Sequence, residues 1–171
     1  MRIVLLGLVA TLSLACRAAP APRAEAACAP AAAPAAAPDA DAAIAGVLDD
    51  WHAAAARADE ARYFDHFADG GVFLGTDGKE RWTVPEFRAY ARPHFAKGKA
   101  WSFRSTRRAI RIAGDVAWFD EDLDTPNLGP ARGSGVLVRT PAGWKIEQYN
   151  LSVPIPNERF KDVKALIEAG R

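Results

Sequence analysis

Cysteine, net charge and glycine-rich phosphate motifs are all scarce in this sequence of 171 residues. Each shortage removes a class of function. Two cysteines, Cys16 and Cys28, cannot build a disulfide scaffold. With 22 basic and 21 acidic residues the net charge is +1, so neither a strongly basic face for nucleic acid nor an acidic tail is expected. Arg132-Gly133-Ser134-Gly135 lacks the outer glycine spacing of a dinucleotide fingerprint, and no phosphate loop or nucleophile elbow occurs, so no cofactor is expected. The histidines His52, His66 and His94 include no pair at helical ligand spacing, and no metal site is expected. Asp120, Asp122 and Asp124 alternate as in a calcium loop, but the following glycine is missing and Ala131 stands at position twelve.

The first sixteen residues read as an address. Arg2 precedes an apolar run from Ile3 to Ala15, too short to span a bilayer with comfort and fitting a signal segment. Leu12-Ser13-Leu14-Ala15-Cys16 resembles a bacterial lipobox. That resemblance implies cleavage before Cys16, its lipidation, and a mature chain anchored outside the cytoplasm, on a bacterial outer membrane facing the periplasm. The alternative is a plain secretory signal cut later, for instance after Ala24-Glu25-Ala26. Residues 17–40 hold fourteen Ala and five Pro in 24 positions, a composition that reads as a semi-extended tether. Cys28 lies within it as an unpaired thiol, or as a disulfide between tethers. Residues 1–15 are thus a signal, 16–41 a lipidated tether, and 42–171 one domain.

Within the domain, Ile44, Val47, Leu48, Trp51, Ala55 and Ala58 recur at helical spacing. A short helix from Asp59 places Tyr63, Phe64 and Phe67 inward and ends at Gly70-Gly71. Val72–Leu74 reads as a strand. Thr83-Val84-Pro85-Glu86 is a capping box opening a helix that Pro93 kinks or ends. Residues 100–113, 116–124, 133–139 and 144–153 have strand character, and their hairpin-length connections make them antiparallel neighbours. A final helix follows Asn157. Helices first and antiparallel strands later give an α+β fold.

That order, with Phe73-Leu74-Gly75-Thr76, Glu80-Arg81-Trp82, Gly114-Asp115-Val116-Ala117-Trp118 and Gly143-Trp144-Lys145-Ile146 leading to Gln148-Tyr149-Asn150-Leu151-Ser152, resembles the SnoaL-like branch of the nuclear-transport-factor-2-like superfamily over residues 42–155. The resemblance implies a curved sheet wrapped on helices around a conical pocket. Isomerases, dehydratases, hydrolases, cyclases and non-enzymatic binders share that fold, so the pocket must decide the function.

Three functions stay open. The first is binding of a small, partly hydrophobic molecule, with Trp51, Phe64, Phe73, Tyr90 and Phe119 as apolar walls. Gln148, Asn150 and Ser152, sharing a face with Trp144 and Ile146, would add polar contacts, with Ser134 and Arg132 at the mouth. The second is a cofactor-free isomerase, dehydratase, cyclase or hydrolase using Glu121 and His52. Glu121 would lie on an apolar inner face with Ala117, Phe119 and Leu123, where desolvation raises its pKa. Against that role, Glu121 could pair with Arg132, and His52 could bond nearby backbone. The third is a homodimeric interaction module joined through a sheet face bearing Trp118 and Tyr149.

Overall fold

The computed structural model describes residues 38–170, so the signal segment, Cys16, Cys28 and the tether up to residue 37 lie outside the described residues. Helix α1 spans Pro38–Ala56, starting earlier than the domain boundary read from composition, and α2 spans Glu60–Asp65. The apolar stripe of α1 is buried through Ile44, Leu48, Trp51 and Ala55. Asp59 caps α2 by accepting from the Arg62 backbone N–H at 3.1 Å.

Strand β1 covers Phe67–Leu74, so Phe67 belongs to the sheet and Gly70-Gly71 lie inside a strand instead of ending a helix. A side chain at Gly71 would meet the carbonyls of Ala68 and Ile146 at 2.9 and 3.0 Å, which is why the sheet tolerates only glycine there. Strand β2 (Arg81–Thr83) pairs with β1 and runs directly into α3 (Val84–Phe95). The capping box is present: the Thr83 backbone N–H and hydroxyl both donate to the Glu86 carboxylate, at 2.8 and 2.7 Å. Pro93 falls two residues before the end of α3 and does not cut it short.

Strands β3 (Arg104–Ala113), β4 (Val116–Thr125), β5 (Gly129–Thr140) and β6 (Gly143–Ser152) complete a six-stranded sheet in the order β2-β1-β6-β5-β4-β3. The last four are antiparallel neighbours, whereas β1 and β6 are parallel, making the curved sheet mixed. After a 3-10 turn at Asn157–Arg159, α4 (Phe160–Ala169) closes the chain. The α+β architecture matches the expectation from the sequence.

One irregularity decides which side chains face inward. Val136 pairs with Gln148 while Leu137 pairs with Ile146, so Glu147 is an extra residue on β6. Such a bulge shifts the two-residue alternation by one. Trp144 and Ile146 point into the core before it, and Tyr149 does after it. Gln148, Asn150 and Ser152 therefore pair with Val136, Ser134 and Arg132 on the opposite face. The expectation that Trp144, Ile146, Gln148, Asn150 and Ser152 share one inward face is corrected.

Candidate functional site

Between α1–α3 and the inner face of the sheet lies a cavity of about 220 Å³. Trp51 comes from α1, Tyr63 from α2, Phe73 from β1, Trp82 from β2, and Phe87, Tyr90 and His94 from α3. Trp101 and Phe103 enter from the segment before β3, and Tyr149 and Leu151 from β6. Thr125, Asn127 and Leu128 close the side formed by the turn after β4, and Gly75, Thr76 and Glu80 the β1–β2 loop.

The aromatic walls interlock. Phe73 stacks on Phe87 at 4.0 Å with planes 16° apart, and Trp82 lies over Phe87 at 5.6 Å and 8°. Tyr149 is parallel to Phe73 within 10°. Two polar atoms in this wall lack protein partners: Trp51 Nε1 and the Tyr63 hydroxyl are buried and make no hydrogen bond. A buried group left this way costs about 1–3 kcal/mol. Burial pushes the Tyr63 hydroxyl well above its ordinary pKa of 10; the Trp101 indole faces its oxygen and opposes the shift, without reaching hydrogen-bond geometry.

Behind Tyr149 sits a second constellation. Glu121 on β4 is fully buried, and its Oε1 lies 2.8 Å from His52 Nε2 on α1 and accepts from the Tyr149 hydroxyl at 3.1 Å. Its other oxygen accepts from both Arg108 Nε and Nη2 on β3, at 2.9 and 2.8 Å, two charge-assisted hydrogen bonds converging on one atom. Arg108 also donates to the Ala45 carbonyl and the Asp49 carboxylate of α1. Glu121 therefore binds α1 to β3, β4 and β6. Burial opposes its charge, but His52 and then Arg108 outweigh that penalty and hold the carboxyl below its ordinary value of 4.5. The expectation of a raised Glu121 pKa is corrected, as is a pairing with Arg132. Burial and then the Glu121 charge push the Tyr149 hydroxyl well above 10.

Of the residues singled out from sequence, Trp51, Phe73 and Tyr90 line the cavity. Phe64 and Phe119 are buried in the core without reaching it. Glu121 and His52 meet each other but do not line it; their neighbours Tyr149 and Trp51 do. Arg132 and Ser134 point to the outer sheet face, Arg132 beside Asp122 at 3.6 Å, while the Ser152 hydroxyl donates to the Arg132 carbonyl. Gln148 and Asn150 lie on that outer face as well. Trp118 is exposed there at 48%, but Tyr149, expected beside it, is buried at 2%. The aspartates of β4 pair with arginines: Asp124 with Arg104, and Asp120 and Asp122 with Arg107. Among the described residues no cluster of three metal-ligating side chains occurs.

Sequence reasoning missed Arg108 and Tyr149 as members of the buried network. The alternation that turned Glu121 inward on β4 also turns its cross-strand partner Arg108 inward, a signal present in the sequence. It also missed Gly133, whose hydrogen faces Tyr149 and Glu121: a Cβ there would fall 2.9 Å from Glu121 Oε1 and collide with the Tyr149 hydroxyl.

Comparison with the curated proteins returned no match. Solved structures similar in fold include a nuclear-transport-factor-2-like protein of unknown function from Pseudomonas putida KT2440. It is 16% identical with a TM-score of 0.59, over 70% of this chain and 90% of that one. A candidate dehydratase of the same superfamily from Streptomyces avermitilis is 21% identical with a TM-score of 0.58, over 70% of this chain and 100% of that one. A candidate ketosteroid isomerase from Parabacteroides distasonis is 18% identical with a TM-score of 0.54, over 66% and 86%. These likenesses establish the fold. Residues 44–156 match the family described as the SnoaL-like domain, and the chain belongs to that family.

Proposed function

We propose that this protein binds one small, partly hydrophobic molecule in its cavity, outside the cytoplasm and on a lipid anchor at Cys16. The observation that carries the binding function is the cavity of about 220 Å³, walled by aromatic rings and open to a few polar groups. Its location rests on the apolar run and the cysteine that closes it. The Glu121–His52–Arg108 network serves as a brace that holds α1 on the sheet: every polar atom of the Glu121 carboxylate is already engaged by the protein. Native mass spectrometry of the chain after exposure to a bacterial extract tests the binding function. A retained small molecule is expected, and a chain that emerges with nothing bound contradicts it. Replacing Cys16 with Ser should release the protein from membranes, and unchanged fractionation would contradict the anchor.

We also propose that two copies pair through the outer sheet face. Trp118 and Val116 are exposed beside the half-buried Val136 and Val138 of β5, an apolar strip on an otherwise polar face.

A further inference from the structure

The cavity lining favours one sign of charge. Nine of its residues are Phe, Tyr or Trp, and only Leu128 and Leu151 are aliphatic. Aliphatic side chains would serve a neutral hydrocarbon equally well, whereas aromatic rings add the negative potential of their faces, strongest for Trp. Among the described residues no Lys or Arg lines the cavity, and its one carboxylate, Glu80, accepts from no cationic side chain. The β1–β2 loop fixes that carboxylate in place. The Gly75 N–H donates to the Glu80 carbonyl at 2.8 Å, and the Glu80 N–H to the Asp77 carbonyl at 2.9 Å. The Asp77 N–H donates to Glu80 Oε2 at 3.2 Å, and the carboxylate lies across the open face of Gly75, where a Cβ would collide with it. Its Oε1 has no partner in the chain and is not enclosed. Lys79 and Arg81 flank Glu80 in sequence, but neither lines the cavity. The Glu121 charge behind Tyr149 is balanced by Arg108. Glu80 is thus the unbalanced charge of the wall, and His94 is the one lining side chain able to become a cation. Size narrows the choice further. An apolar cavity of about 150 Å³ holds benzene. The 220 Å³ here suits one ring with a short substituent.

Resting on the reading of this cavity as a binding site, we propose that its ligand is a small organic monocation, an ammonium group on an apolar body of about one ring, with Glu80 as its countercharge. An ammonium beside a carboxylate and aromatic rings is attracted by both. A neutral molecule of the same shape lacks the charge that either would attract, and a carboxylate meets like charge with no cation to offset it.

Calorimetric titration of the full chain with three probes tests this: 2-phenylethylammonium, 2-phenylethanol as its neutral analogue, and phenylacetate as its anionic one. Working at about pH 8, where histidine is ordinarily neutral, keeps His94 from adding a competing charge. The ammonium probe should bind at least about tenfold tighter than either of the others. Glu80→Gln removes the charge and keeps an oxygen that can accept from the Asp77 N–H, so it should fold. The variant should bind 2-phenylethanol as the unaltered chain does and lose most of the preference for the ammonium probe. Equal affinities for the ammonium probe and the alcohol would overturn the cation assignment while leaving the binding function intact. Tightest binding of phenylacetate would overturn the sign of the charge. A preference that survives Glu80→Gln, with 2-phenylethanol binding unchanged, would overturn Glu80 as the countercharge. Binding of none of the three would overturn the binding function itself.

Discussion

The Tyr149 hydroxyl, on a ring that lines the cavity, donates to Glu121 Oε1 at 3.1 Å, joining the cavity wall to the buried charge network behind it. Removing the charge should expose what the network does. In Glu121→Gln the amide accepts at one atom only, and the Arg108 guanidinium, nearly as enclosed, loses its countercharge. Breaking a buried pair from one side costs about 3–5 kcal/mol, reduced here because Arg108 retains Asp49 and the Ala45 carbonyl. A loss of about 2–4 kcal/mol in urea denaturation is expected, with ligand binding preserved in the folded fraction. Stability unchanged together with lost binding would contradict the role as a brace.

Acid should weaken the fold through the same carboxyl. Its pKa lies below the ordinary value of 4.5 in the folded chain. Its contribution is therefore complete above pH 4.5 and is lost as pH falls through the folded value. Asp50, Glu86 and Asp122 shift the same way but sit at or near the surface, where water screens their partners. Unfolding free energy measured from pH 6 downward should fall below about pH 4.5, and Glu121→Gln should flatten that limb. An identical acid limb in the variant would contradict the assignment.

Alkali should act through the two buried tyrosines. Tyr63 and Tyr149 both have pKa values raised above 10 when folded. Their contribution is present below pH 10 and is lost as pH rises past it, because the unfolded chain releases these protons first. Tyr63→Phe, which removes no protein hydrogen bond, should flatten part of this limb at little cost near neutrality. Phenolate absorbance at 295 nm checks it: titration of these residues should coincide with unfolding, and ionisation in a still-folded chain would contradict burial as the cause.

Gly133→Ala should be among the more damaging of the small substitutions. The new methyl would sit 2.8 Å from Tyr149 Cζ and 2.9 Å from Glu121 Oε1, so the ring or the strand must give way. A destabilisation of about 1–3 kcal/mol is expected. Combining it with Tyr149→Phe, which removes the atom nearest the clash, should recover part of that loss in a double-mutant cycle. Strict additivity would contradict the clash as the cause.

Much of this was legible in the amino-acid order, and the failures have local causes. Helical spacing from Ile44 to Ala55 and the Thr83–Glu86 capping pair identified two helices because both signals are short-range. Alternation along 116–124 turned Glu121 inward correctly. The inward face of β6 was misread because the bulge at Glu147 leaves no mark in residue type, yet it reverses every later side chain. That one residue moved Gln148 and Asn150 out and Tyr149 in. The parallel pairing of β1 with β6 and the three-residue strand β2 depend on tertiary contacts alone. Arg108 escaped notice in a run of arginines, most of which do point to solvent.

Tryptophan indole N–H resonances test the central claim, occupation of the cavity, most directly. Three of the five tryptophans, Trp51, Trp82 and Trp101, line the cavity, while Trp118 lies on the outer sheet face and Trp144 is buried elsewhere. Titrating the chain with a single-ring aromatic compound should shift the first three resonances saturably and leave the signals of Trp118 and Trp144 in place. Three unmoved cavity resonances, or a shift confined to Trp118, would contradict the account.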